Sequence, residues 1–193
     1  MSQLPIVLAS ASPRRRHLLE MLRIPVVVRP AHVVEVRAPG EAPDAYVRRL
    51  AQEKAEAVEG DLVLAADTTV VLGGAVLEKP ADAADALRML RLLQGRTHEV
   101  YTAVALRTRT GVRGALDRSL VTMRPADEAV LRAYVATGEP MDKAGAYGIQ
   151  GLGAALVDRL EGDFFGVMGL PLRLVLRLLD EAGWHYRFGA DGA

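Results

Sequence analysis

Leu62-Val63-Leu64-Ala65-Ala66-Asp67-Thr68-Thr69-Val70-Val71-Leu72-Gly73-Gly74-Ala75-Val76-Leu77 is the stretch that decides the fold class. Residues 62–66 are a short, unbroken apolar run, which reads as a buried strand. Asp67 stands at the C-terminal end of that run, the usual address of ligand-facing residues in open α/β sheets. No crossover helix follows. Residues 70–72 and 75–77 are apolar, and Gly73-Gly74 between them is the two-residue turn of a hairpin. A strand that feeds a hairpin, in a chain that elsewhere alternates strands with helices, predicts an α/β protein with one mixed, twisted sheet.

The flanking sequence agrees. Upstream, residues 5–9 read as a strand. Ser12 followed by Pro13 starts a helix, a hydroxyl cap before a proline at the first helical position, with Leu18, Leu19 and Leu22 as its apolar stripe. Residues 25–29 read as a second strand and 30–41 as a loop. Residues 43–58 have helical spacing through Tyr46, Val47, Leu50, Ala51, Ala55 and Val58. Downstream, Asp82 caps a helix that runs to Leu93 and is stopped by Gly95. Residues 100–108 and 112–124 read as long strands joined near Gly111. A helix from Asp127 to Ala136 ends at Gly138. Residues 139–153 are Gly-rich with no helix signal; 154–160 read as a strand, 170–182 as a helix and 184–188 as a last strand. The 193 residues, 50% hydrophobic, support one domain over 1–193 with room for two lobes, and no second independent domain.

Composition excludes several classes. Twenty-four basic and 24 acidic residues balance to zero, which leaves no electrostatic footprint for a nucleic-acid backbone. Aromatics at 5% leave no stacking platform for single strands. No apolar run is long enough for a bilayer, and the first residues lack the pattern of a secretory signal, so a cytoplasmic protein is expected. Without cysteine there is no disulfide, thiolate nucleophile or Cys-based zinc site. His17, His32, His98 and His185 are scattered, with no metal-binding spacing; His98, in an alternating strand, reads as a satisfied sheet histidine, and Trp184 as cover for the sheet edge. Of the basic residues, only Lys54, Lys79 and Lys143 are lysine. Arg is a planar fork and Lys a compact point charge, so a Lys kept in an Arg-rich chain can mark a place where the fork does not serve.

Four constellations can carry chemistry. Ser10-Ala11-Ser12-Pro13-Arg14-Arg15-Arg16 lies between a strand and a helix, where free backbone N–H groups and the helix dipole favour an anion. For a generic Ser-Pro-Arg-Arg, a capped helix with solvated arginines is the commoner outcome. Asp67 can hold a divalent metal, orient water or act as general base; it can also cap a turn. Glu78-Lys79-Pro80 puts one lysine just after the hairpin. Lys54 sits on the apolar face of its helix, where snorkelling is the commoner outcome and a buried anion the other. Finally, Pro140-Met141-Asp142-Lys143-Ala144-Gly145-Ala146-Tyr147-Gly148-Ile149-Gln150-Gly151 is a glycine-rich loop with apolar members that a solvated loop would not need. The Gln150 amide, with one donor and one acceptor side, matches the N3–H and a carbonyl of uracil or thymine.

These residues together resemble the Maf family of nucleotide pyrophosphatases. The resemblance rests on SASPRR, Glu35, the EKA around Lys54, AADTTV, EKP at 78–80, GRTHEVYTAVAL at 95–106, PMDKAGAYGIQG and GLPL at 169–172, in order over nearly the whole chain. It implies an inosine-triphosphatase-like α/β fold with a central mixed sheet flanked by helices and a cleft between two lobes. It implies a homodimer, dependence on Mg²⁺ or Mn²⁺, and hydrolysis of a nucleoside triphosphate to the monophosphate and pyrophosphate. By the resemblance, Asp67 is the catalytic acidic residue, and Glu35 is an acidic residue that would share the metal with it. Lys54 and Lys79 contact phosphates. Ser10, Arg14, Arg15, Thr68, Lys143 and Gln150 bind substrate, with Arg14, Thr68 and Gln150 tied to its choice. AYGIQG is similar to the branch acting on dTTP and UTP. Gly166 is a departure, since many relatives carry Asn there. Two rival readings stay open: a pyrophosphatase for 7-methyl-GTP or other modified purines, and a non-catalytic nucleotide-binding regulator. Cleaning of the nucleotide pool and control of division are both compatible cellular uses.

Overall fold

Strand formation begins at the apolar run Ile6–Leu8, fully buried as β1. The structure, a computed structural model, describes residues 5–188. Residues 1–4, the start of the stretch read against a secretory signal, lie outside the described residues. After β1 come α1 (Pro13–Met21), β2 (Val26–Val28), α2 (Pro43–Glu56), β3 (Val63–Leu72), β4 (Ala75–Leu77), α3 (Ala83–Leu93), β5 (Thr97–Thr108), β6 (Gly111–Met123) and α4 (Glu128–Ala136). Three short 3₁₀ turns follow, Glu139–Asp142, Ala144–Ala146 and Leu152–Leu156, and then β7 (Val157–Glu161), α5 (Phe164–Met168) and α6 (Leu172–Glu181).

The seven strands form one sheet in the order β2-β1-β3-β5-β6-β7, with β4 paired to β3. β1 pairs in parallel with β2 (Val7 opposite Val27) and with β3 (Val7 opposite Val63). β3 pairs antiparallel with β4, and β6 with β7. The sheet is therefore mixed, as the hairpin in the sequence requires. Gly73 and Gly74 make that turn with φ of 57° and 83°, the left-handed pair a tight hairpin needs.

By its internal contacts the chain divides into two units. One comprises the described residues up to Asp67, residues 102–117 and those from Gly169 onward; the other comprises 68–101 and 118–168. β3, β5 and β6 each pass from one to the other along the chain. In the first unit, β1 and the start of β3 are buried, and Leu18 and Leu19 of α1, the face of α2, and Leu172, Leu174, Val175, Leu178 and Leu179 of α6 fill out the core. In the second unit, α3 packs on α4 and on the first two 3₁₀ turns.

The caps explain the helix starts. The Ser12 side chain accepts from Arg15 N, Asp82 from Asp85 N, and Asp127 from Val130 N. Four expectations need correction. β3 does not stop at Ala66: its ten residues run through Asp67 to Leu72, because Thr68, Thr69, Val70 and Val71 are all β-branched and suit a pleated surface. Residues 139–153 hold short 3₁₀ turns, and residues 154–156 belong to the last of these, so β7 starts only at Val157. α5 went unread because five residues are too short for a periodicity signal. Residues 184–188 form no strand; the Trp184 N–H instead closes α6 by donating to Leu179 O at 2.9 Å.

Candidate active site

α2 builds the centre of the site. Its buried face is Tyr46, Val47, Leu50, Ala51, Lys54 and Ala55, one helical stripe in which Lys54 is the only charged member. Its place on that stripe keeps Lys54 largely out of water. It is 7% exposed. Lys54 does not snorkel; its Nζ donates to Asp67 Oδ1 at 2.6 Å, and Asp67 is 6% exposed. The same Nζ lies 2.7 Å from Glu35 Oε1. One ammonium thus holds two carboxylates from distant parts of the chain.

Each partner is placed by identifiable contacts. Asp67 lies at the middle of β3, on a run that is buried from Val63 to Asp67. Glu35 rides on an irregular segment laced to α2. Tyr46 Oη donates to the Glu35 carbonyl at 3.3 Å, and Arg49 Nη2 donates to the Val36 carbonyl at 3.0 Å. Arg49 also grips Glu41 with two parallel bonds of 2.7 and 2.8 Å, the bidentate geometry that makes such pairs strong. Val34 and Val36 point outward, 79% and 66% exposed, while Glu35 between them reaches Lys54. At the far end of α2, the Arg107 guanidinium donates to the carbonyl of Ala55, an orphan acceptor in the last turn of the helix, and to those of Val58 and Gly60 just beyond it.

The Ser-Pro-Arg turn belongs to the same unit. The buried Ser10 hydroxyl accepts from Ser12 N at 3.2 Å and from Arg15 Nη1 at 3.1 Å. Arg15 Nε donates to the Gly169 carbonyl at 2.8 Å, which ties the turn to the Gly169-Leu170-Pro171 segment. Burial pulls the Arg15 guanidinium below its ordinary value; the charge of Asp67 opposes this, Arg14 adds to it, and Glu35 opposes it. Arg15 therefore feels both carboxylates and its neighbouring arginine. Arg14, Arg15, Lys54, Glu35 and Asp67 form one electrostatic cluster.

The residues present fit a divalent cation. Asp67 and Glu35 offer hard oxygen donors, the type of ligand that suits Mg²⁺ or Mn²⁺, and the Lys54 ammonium between them brings the two carboxylates together. Among the described residues there is no group of three or more His, Cys, Asp or Glu that could hold a metal. Asp67 and Glu35 would hold such a cation, which would supply positive charge and Lewis acidity beside them.

The remaining expected residues lie in the second unit. Thr68 is half-buried beside Asp67 on β3, Lys79 is exposed, and Gln150 is exposed at the end of the buried run from Gly145 to Ile149. Lys143 turns inward: its ammonium donates to the Glu139 carbonyl and to Asp142 Oδ1, each at 2.6 Å.

Sequence reading missed Glu139. Its carboxylate accepts from Leu152 N, Gly153 N and the Tyr134 hydroxyl, each at 2.9 Å. Burial pushes this carboxyl up, but the two backbone N–H groups, Tyr134 and the charge of Lys143 outweigh it and hold the group below its ordinary value. The available signal was a glycine-rich segment whose amides need an acceptor. His98 is the other surprise. Its Nε2 meets the Tyr147 hydroxyl at 2.7 Å, but its buried Nδ1 has no hydrogen-bond partner, so the expected satisfied histidine is only half satisfied.

The likeness of this chain to known proteins runs over most of its length. The Maf-like protein family matches residues 5–182. A dTTP/UTP pyrophosphatase of an Anaeromyxobacter species is 52% identical, over 97% of this chain and 94% of that protein. Proteins of the same description from Koribacter versatilis and Burkholderia thailandensis are 49% and 50% identical, over 92% of this chain in both cases and 94% and 92% of their own lengths. Among solved structures, the Staphylococcus aureus Ham1 protein aligns over 93% of this chain with a TM-score of 0.49 and 13% identity.

Proposed function

This chain belongs to the Maf family, and from that premise we propose that Asp67 is the working carboxylate of a dTTP/UTP pyrophosphatase. The enzyme hydrolyses the nucleoside triphosphate between the α- and β-phosphates, leaving a monophosphate and pyrophosphate. The observation that carries the reading of the site is the buried Lys54 ammonium clasped between the buried Asp67 and the exposed Glu35. A buried ion pair is a costly arrangement that hydrophobic residues of like volume often match or better in stability, so a chemical use for it is the simpler account.

The residues divide the work. Lys54 engages Asp67 Oδ1 and fixes its orientation, which leaves Oδ2 to accept the proton of a water. That water attacks the α-phosphorus in line, and the bond from phosphorus to the bridging oxygen breaks as pyrophosphate departs. Arg14, Arg15 and the N-terminus of α1 hold phosphate charge, with Ser10 keeping Arg15 in place. Lys79 adds a point charge to the departing pyrophosphate. Gln150 pairs with the pyrimidine edge. A divalent cation held by Asp67 and Glu35 would neutralise charge on the phosphate oxygens and polarise the phosphorus. Phosphoryl-type transfers leave little covalent work for protein, so charge placement dominates the rate.

Asp67→Asn keeps the shape and loses the base. It is expected to lower kcat for pyrophosphate release from UTP by about 10²-fold or more while UTP still binds. Undiminished turnover in that variant removes Asp67 from the chemistry. Chelation with EDTA is expected to stop turnover and added Mn²⁺ or Mg²⁺ to restore it; full activity in EDTA excludes the cation. A homodimer in the cytoplasm completes the proposal. Light scattering that returns the mass of one chain would remove the dimer, and fractionation of cells would test the compartment.

A further inference from the structure

The second unit carries a device that the chemistry above does not use. The Tyr134 hydroxyl, on α4, accepts from Gly148 N at 3.1 Å and donates to Glu139 Oε1 at 2.9 Å. The Glu139 carboxylate in turn accepts from Leu152 N and Gly153 N. One phenol-carboxylate pair therefore ties down the chain at residue 148 and again at residues 152 and 153. Ile149, Gln150 and Gly151 are the three residues between those ties; Ile149 is buried, and Gln150 and Gly151 are exposed, so Gln150 is the side chain that the loop presents beyond its ties.

The glycines show that the tie is close. A Cβ on Gly151 would meet Glu139 Oε2 at 2.7 Å, and its φ of 91° is one that a side chain rarely adopts. A Cβ on Gly153 would collide with the Gly148 carbonyl and the Tyr134 hydroxyl. Just upstream, the fully buried Ala146 holds a φ of 58°, which a non-glycine residue keeps only when its surroundings over-determine it. The Tyr147 hydroxyl is anchored to His98 Nε2. A loop fixed at both ends presents its apex in one orientation, and orientation is what a two-point hydrogen bond to a base edge requires.

We propose that Glu139, through Tyr134, is the positioning residue that sets base selectivity by holding the Gln150 loop in its reading orientation. It touches no substrate. Its carboxylate is the part that matters, because both oxygens must be acceptors to satisfy Leu152 N, Gly153 N and Tyr134 together. The proposal rests on the reading of Gln150 as the group that pairs with the pyrimidine.

UTP and CTP differ at the edge that an amide would read, so their kcat/KM ratio reports loop orientation and overall folding does not move it. Glu139→Gln puts an NH₂ where an acceptor is needed. It is expected to lower kcat/KM for UTP about tenfold, carried by KM, with kcat and the value for CTP changed less than about twofold. Gln150→Ala is expected to lower the UTP/CTP ratio equally, and Glu139→Gln added to it to lower the ratio no further. A Glu139→Gln enzyme with an unchanged ratio, beside a Gln150→Ala enzyme whose ratio falls, overturns the role of Glu139 and leaves that of Gln150 standing. An unchanged ratio in Gln150→Ala overturns the base-reading assignment itself, and the proposal with it. Should Glu139→Gln fail to fold, Tyr134→Phe, which keeps the ring and leaves the Leu152 and Gly153 contacts, decides: a lowered ratio supports the proposal, an unchanged one ends it.

Discussion

Two carboxylates on one ammonium is the central fact at the scale of single residues. Lys54 and Asp67 are both buried, and removal of the lysine leaves Asp67 without its cation in a low-dielectric site, a change that typically costs about 3–5 kcal/mol, whereas removal of Asp67 leaves Lys54 still paired with Glu35. Asp67→Asn is the milder test because the amide oxygen can still accept from Lys54. His98 makes a second prediction at this scale. Burial lowers it from 6.5 to about 4. Its folded pKa lies below the unfolded one, so between pH 6.5 and 4 the unfolded chain binds a proton that the folded chain refuses. Stability from this residue is complete above pH 6.5 and is lost as pH falls through that window. His98→Gln can still reach the Tyr147 hydroxyl and does not titrate. Urea unfolding should show wild type losing ~2–3 kcal/mol more than His98→Gln between pH 7 and pH 4.5. Parallel pH profiles for the two proteins would exclude a buried neutral His98.

At the scale of elements, the site depends on segments that are not regular. α2 supplies Lys54 from a stripe any helical wheel would find, whereas Glu35 arrives on a loop held by Tyr46 and Arg49. The 3₁₀ turns between α4 and β7 are the counterpart in the second unit. Gly153, in the Leu152–Leu156 turn, faces a peptide oxygen that cannot move without displacing the loop. Gly153→Ala is therefore expected to cost about 1–3 kcal/mol, within the range for overpacking, and to lower Tm by several degrees. Gly114→Ala on β6 is the control. Its added Cβ would meet the Val104 carbonyl at 3.3 Å, a tight contact but no collision, and alanine is the better strand residue, so its Tm should fall less than that of Gly153→Ala. Equal Tm values for the two variants would show that the loop is not tightly packed.

For the whole molecule, the division of the chain matters more than its length. The unit that holds Lys54, Glu35 and Asp67 draws on three separate stretches, and residues 102–117 and those from Gly169 onward are as much a part of it as the first 67. Within it, Arg107 closes the helix that carries Lys54, and Gly169 receives Arg15. A fragment of residues 5–67 contains all five charged residues of the site and neither of these supports. It is expected to give a far-ultraviolet spectrum without native helix content and to bind no UTP. A folded fragment with native amide protection would show that the later segments are dispensable.

Much of this was legible from local chemistry. The mixed sheet followed from a strand that runs into Gly73-Gly74, and the helix starts from Ser12, Asp82 and Asp127, because caps and turns are made by neighbours in sequence. Asp67, Lys54 and Glu35 could be picked out by residue type and by resemblance. Periodicity put Lys54 on a buried face, but no local rule could say whether its ammonium would reach water or an acid 13 positions away. The same holds for Glu139, whose carboxylate meets amides 13 and 14 residues on, and for His98 and Tyr147, 49 apart. Such partners are decided only when the folded chain excludes water and each buried polar group must take whichever partner the tertiary structure brings within reach.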